Sequence, residues 1–200
     1  MVSVKQNRSS RLWSAEARVL VGPAATFRAL ADAPPGAAPL SRPALLLLFL
    51  GCAVSFLASG TPNVRLIVDG AISFAFVPIC ETAGLAASIR FGHRRVPFAR
   101  AIDVFFAGNA PWLAWCVVVA AATTLTRPIL WTPPIIVASA VVPVVWSMLV
   151  DYHFFREVTG ATASDAVRAT LVQRAVAWTL ATAYFFGIAI WPQVAGRLGW

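Results

Sequence analysis

Charge is what this chain has least of. Only 12% of its residues are Asp, Glu, Lys or Arg, and 59% are hydrophobic; soluble domains carry about 25% charged residues. Acidic residues number eight, and Lys5 is the sole lysine beside fifteen arginines. With a mean hydropathy of +0.75, a soluble globular domain is excluded. Cysteine is scarce too. Cys52, Cys80 and Cys116 each lie inside an apolar block, without CxxC or His-paired spacing. That excludes a disulfide framework and a zinc site and leaves small buried apolar side chains. Also absent are GxSxG, a phosphate-cradling Gly-rich loop, paired carboxylates around a cleft motif and a heavily charged intramembrane lane. Nothing therefore points to catalysis, a cofactor, a metal or a small-molecule substrate. No cleavable signal peptide is expected, because the first apolar block begins only near Ala44, behind an Arg-bearing, Pro-rich segment.

What is present is blocks of apolar sequence punctuated by proline and arginine, so the predicted fold class is all-α, a polytopic membrane protein. The net charge of +8 does not read as a nucleic-acid interface, since no basic, aromatic-interleaved soluble module accompanies it. The arginines sit beside apolar blocks, where anionic lipid headgroups and the positive-inside rule account for them. The Arg, Ala, Pro and Gly bias suggests a GC-rich bacterial genome, hence a bacterial cytoplasmic (inner) membrane.

In chain order, residues 1–12 read as a disordered basic N-terminus. Residues 13–43 read as two short amphipathic helices followed by a Pro-rich linker. Trp13, Ala17 and Leu20 share one helical face, Gly22-Pro23 breaks it, and Phe27, Leu30 and Ala31 supply the next. Such helices lie either in the membrane interface or on the protein's own cytoplasmic face. Residues 44–200 form the membrane domain, with five transmembrane helices expected near Ala44–Ser59, Leu66–Ile89, Ala101–Thr124, Ile135–Val150 and Ala175–Pro192. Arg127-Pro128 and Pro133-Pro134 bracket a tight turn holding Trp131. Asp151 to Arg168 reads as a polar loop with a capping box at Thr162 and Asp165. From it a helix starting near Ser164 runs into the fifth span, with Arg174 snorkelling near that span's start, and Trp191 and Trp200 mark the far interface. Lys and Arg divide thirteen to three between the two sides this topology defines, so the N-terminus is expected to be cytoplasmic and the C-terminus outside.

The stretch from Ile67 to Arg100 organises the rest: an apolar run containing Glu81, then a basic cluster of Arg90, His93, Arg94, Arg95 and Arg100. The strongly apolar residues between Gly70 and Ile89 favour insertion by about 2 to 4 kcal/mol, and an ionised acid near the helix centre costs about 2.5 to 3.5 kcal/mol. The two nearly cancel, so Glu81 needs a proton or a partner. Glu81 lies nine residues before Arg90, and Asn109 nine residues after Arg100. At 1.5 Å per residue both stand about 13 Å inside the cytoplasmic interface. A neutral Glu81 hydrogen-bonded to Asn109, or to backbone freed by Pro111, is the expectation, with a proton or ion relay as the alternative.

The basic cluster reads as a topology signal, and additionally as a contact for anionic headgroups or an acidic partner. Asp69 and Asp103 lie at span ends, within reach of Arg65 and Arg100. His93 and His153 read as exposed interfacial residues, because Asp151-x-His153 alone makes a weak metal motif.

Three stretches carry a family resemblance: VLVGPAATFRALAD with the Pro-rich linker, FGHRRVPFARAIDVFFAGNAPWLA, and HFFREVTGATASDAVRATL. Across about Ala17 to Ala195 the order of parts resembles the Yip family, multi-pass proteins named for Ypt/Rab interaction, and especially its bacterial branch. The D-L-x-G-P type signature of eukaryotic members is absent. The resemblance implies five spans, a cytoplasmic N-terminus, and a role in trafficking or membrane shaping. The resulting expectation is a non-enzymatic membrane protein acting through membrane lipids, other membrane proteins or a second copy of itself. The alternative is a small transporter or channel using Glu81.

Overall fold

The computed structural model describes residues 14–33, 41–125 and 133–197, and every regular element among them is helical. The basic segment 1–12, Trp13 of the first amphipathic face, the linker residues 34–40, the turn with Trp131, and Trp200 lie outside the described residues.

Among the described residues, four helices are long and apolar enough to cross a membrane: Ser41–Ser59, Val64–Phe91, Phe98–Ala122 and Pro134–Glu157. The first is the continuous helix α3. The other three are interrupted, and prolines explain where. The second consists of α4 (Val64–Ser73), α5 (Phe76–Ser88) and a 3-10 turn at Ile89–Phe91. The third is α6 (Phe98–Phe106), a 3-10 turn at Ala107–Asn109 and α7 (Ala110–Leu125). The fourth is α8 (Pro133–Ser139) and α9 (Val141–Glu157). Pro78, Pro111 and Pro143 lack an N–H, and their rings crowd the carbonyl four residues earlier. Those carbonyls belong to Phe74, Ala107 and Ser139, where each first half ends or tightens. The cap residues Ala75 and Ala140 stay in the right-handed helical region, so the spans bend without unravelling.

The predicted fifth crossing falls on α10 (Ala163–Phe185), a π turn at Phe186–Ile190 and α11 (Trp191–Arg197), which is not among the four. The π turn again precedes a proline, Pro192. The first half of α10 carries Asp165, Arg168, Gln173 and Arg174. The predicted polar loop from Asp151 is corrected at its start, where α9 continues to Glu157, while α10 begins at Ala163, next to the start expected near Ser164. Thr162 caps α10, its hydroxyl accepting from the Asp165 N–H at 3.2 Å and donating to the Asp165 carboxylate at 2.6 Å.

Helices α1 (Ala15–Val21) and α2 (Pro23–Asp32) pack on the bundle's own end. Val19 and Phe27 are fully buried, and Phe27 meets Phe154 edge-on at 5.7 Å. Phe105 and Phe155 join Phe154 at 5.3 and 5.2 Å, giving an aromatic core where α2, α6 and α9 converge.

Two crossings depend on glycine. Gly51 of α3 lies against the Ile67 carbonyl oxygen, leaving no room for a Cβ, and Gly70 of α4 faces Gly51. A Cβ on Gly84 of α5 would stand 2.6 Å from the Gln173 carbonyl oxygen of α10. Small residues of this kind let helix backbones approach closely. The outward faces are apolar, as Ile79 at 68% exposed and Val137 at 72% illustrate. Apolar surface on this scale requires a partner other than water.

Candidate functional site

The break in the third span places Asn109, 4% exposed, where its 3-10 turn meets α7, opposite Glu81 on α5. The Asn109 amide Nδ2 donates to Glu81 Oε2 at 2.8 Å. The structure thus brings these two residues together inside the bundle.

A second polar contact lies beside them. Arg174 on α10 approaches Asp151 on α9, with 2.5 Å between a terminal guanidinium nitrogen and Oδ2; the Asp151 side chain is buried and that of Arg174 is 11% exposed. It is a close charge–charge approach without aligned hydrogen-bond geometry, and Arg174 Nε has no hydrogen-bond partner among the described residues. Neighbouring Gln173 is fully buried, with both amide atoms likewise unpartnered there. Sequence reasoning missed this pair because Asp151 follows the apolar run and reads as the first loop residue, and Arg174 reads as a snorkelling side chain.

Glu81, Asn109 and Arg174 form the polar end of a cavity of about 410 Å³. Apart from Thr182 of α10, its walls are otherwise largely apolar: Leu46, Leu50, Val54 and Leu57 from α3, Trp112 and Trp115 from α7, Trp178 from α10. Trp115 is fixed by a bond from its indole N–H to Ser139 Oγ at 3.0 Å, and Trp112 packs edge-on against it at 5.9 Å. Cys80 and Cys116 also face this space. A second cavity of about 390 Å³, lined by Ser14, Glu16, Arg42 and Cys52 among others, lies beyond Leu46, Asn109 and Leu113, which line both.

The basic cluster is divided by its contacts. Arg100 turns inward, donating to the Leu30 and Ala33 carbonyls at the end of α2 at 2.7 and 3.1 Å and approaching Asp103 at 3.3 Å. Arg42 bridges Asp103 at 2.6 Å and Glu16 at 2.9 Å, tying α3 to α6 and α1. Burial alone would raise the Glu16 carboxyl, but its backbone N–H, Arg42 and the Ser14 hydroxyl outweigh this and hold it below its ordinary value. Arg90, His93, Arg94 and Arg95 stay exposed. The His93 and Arg94 amides both donate to the Thr159 carbonyl, at 2.9 and 2.8 Å, zipping this loop to the one between α9 and α10. Arg90 lies over the Phe91 ring at 5.4 Å. Asp69 approaches Arg65 at 3.8 Å on the exposed side of α4. Asp151 turns to Arg174, while His153 packs on Tyr152 at 5.3 Å, so the two do not converge on a metal.

No protein-family model matches the chain, and no curated protein or solved structure matches it either.

Proposed function

We propose that this chain is a non-enzymatic integral membrane protein that works by holding an amphipathic, bilayer-soluble molecule within its helical bundle. The observation that carries this reading is the cavity of about 410 Å³, whose lining is mostly apolar and whose polar side chains are Glu81, Asn109, Arg174 and Thr182. Sites for small molecules are largely apolar pockets of about 300–1,000 Å³ with a few placed polar groups. Helix α10 with its continuation to Arg197 serves as a fifth crossing, leaving the N-terminus cytoplasmic and the C-terminus outside. The exposed Arg90, His93, Arg94 and Arg95 face anionic headgroups of a bacterial inner membrane. The resemblance to the Yip family would place the protein in membrane organisation, through contacts with lipids, other membrane proteins or itself.

A second reading, a small transporter using Glu81, is favoured by the buried Asp151–Arg174 pair beside it, since ionisable groups within membrane segments commonly mark ion or substrate paths.

The test is native mass spectrometry of protein extracted from its own membrane. Ala181 of α10 lines the cavity; a co-purifying amphiphile is expected in the wild type and lost in Ala181→Trp, which places an indole in that space. Equal retention in a well-folded Ala181→Trp protein would refute the reading.

A further inference from the structure

The charges around the cavity do not balance. Among the described residues, Arg174 is the one cation that lines it, and its guanidinium is already committed to Asp151 at 2.5 Å. Glu81 has no ion-pair partner within 4 Å among the described residues; its polar contact is the neutral Asn109 amide on Oε2. Two carboxyl groups therefore stand near one guanidinium, and Asp151 is the one that pairs with it. A carboxyl group with so little water around it holds either a proton or a counter-ion.

The walls point to which counter-ion fits. Trp112, Trp115 and Trp178 border the same space as Glu81, with Phe74 at its side. Aromatic faces attract cations through the ring quadrupole, tryptophan most strongly, and more so once the cation is stripped of water. A metal ion finds no matching donor set, because no group of three or more His, Cys, Asp or Glu residues converges among the described residues. A small hydrated cation would gain nothing from walls of leucine and tryptophan. A cation that is itself apolar matches both the carboxyl group and the walls.

We propose that the cavity between α3, α5, α7 and α10 is a binding site for a lipophilic monocation, with Glu81 as its counter-charge and Trp112, Trp115 and Trp178 as its aromatic wall. The site has three parts. Glu81 supplies the charge, Asn109 holds the carboxyl group in place from α7, and the Asp151–Arg174 pair keeps the neighbouring arginine from neutralising Glu81. This rests on the reading of the cavity as an amphiphile site and adds the charge of its ligand.

The experiment compares tetraphenylphosphonium with the uncharged triphenylphosphine oxide, by calorimetry on full-length protein in lipid nanodiscs with empty nanodiscs as blank. Saturable binding of the phosphonium at least tenfold tighter than the oxide is expected. Glu81→Gln should reduce it tenfold or more, Glu81→Asp should retain part of it, and Trp178→Ala should weaken it several-fold. Equal affinity for both compounds would overturn the charge assignment while leaving an amphiphile site intact. Saturable binding of neither would overturn that site too. The wild-type comparison needs no variant to fold, so a poorly behaved Glu81→Gln protein leaves the outcome decisive.

Discussion

Asp151 and Arg174 meet at 2.5 Å in the interior, the first about two thirds of the way along α9 and the second midway along α10. Neither side chain can lose its partner cheaply, since removing one member of a buried ion pair leaves an uncompensated charge and costs about 3–5 kcal/mol. Arg174→Ala and Asp151→Ala should each destabilise the protein by an amount of that order. The double variant Asp151→Leu/Arg174→Met should recover most of the loss. Unfolding in mixed micelles, followed by tryptophan fluorescence, gives all three values. Additive losses in the double variant would show that the two residues act separately.

The Glu81–Asn109 hydrogen bond should be asymmetric to mutation. Glutamine at position 81 keeps an acceptor for the Asn109 amide, so Glu81→Gln should change stability by less than about 1 kcal/mol. Asn109→Leu removes the donor and leaves a buried carboxyl oxygen unserved, a loss of about 1–3 kcal/mol. Hydrogen bonds between membrane helices average nearer about 0.6 kcal/mol, which sets the lower end of the expected effect. The same unfolding assay decides the ranking; a Glu81→Gln protein less stable than Asn109→Leu would contradict the geometry.

The contrast between these two pairs shows what a sequence can and cannot reveal. Arithmetic alone puts Glu81 and Asn109 together, because each lies nine residues from a loop arginine and a hairpin puts equal counts at equal depth. The helix breaks are equally local, since Pro78, Pro111 and Pro143 act on carbonyls four residues away. Asp151 is different. Hydropathy falls at Asp151-Tyr152-His153, which reads as a span leaving the bilayer. Yet α9 runs on to Glu157 because α2 covers it, with Phe27 against Phe154. That cover comes from residues more than a hundred positions away in the chain, and no window along the sequence contains it. The Arg42 bridge to Glu16 and Asp103 is hidden for the same reason. Arg100 reads as part of a lipid-facing cluster because the α2 carbonyls it binds are likewise distant.

At the α3–α4 crossing, the Ile67 carbonyl oxygen occupies the place a Gly51 Cβ would take. A backbone atom cannot rotate aside, so Gly51→Ala must push the helices apart, at a cost of about 1–3 kcal/mol. Gly187→Ala provides the control, because nothing lies within 4 Å of the point where its Cβ would stand. The control should be neutral or slightly stabilising, since alanine is the better helix former by about 1 kcal/mol. Thermal unfolding of the two variants side by side measures the difference, and equal melting temperatures would refute the tight crossing.

Glu16 gives the docking of α1 a dependence on pH. Its carboxyl is held below its ordinary value, so the folded state favours the ionised form more than the unfolded chain does. The stabilisation is therefore fully present above the unfolded carboxylate value, about 4.3, and is lost as pH falls through the lower folded value. Glu16→Gln removes the charge facing Arg42 at every pH. The wild type should melt above Glu16→Gln at about pH 7, and the two curves should converge below about pH 4. A gap that stayed constant from about pH 7 to about pH 3 would show that Glu16 acts through packing and not through its charge.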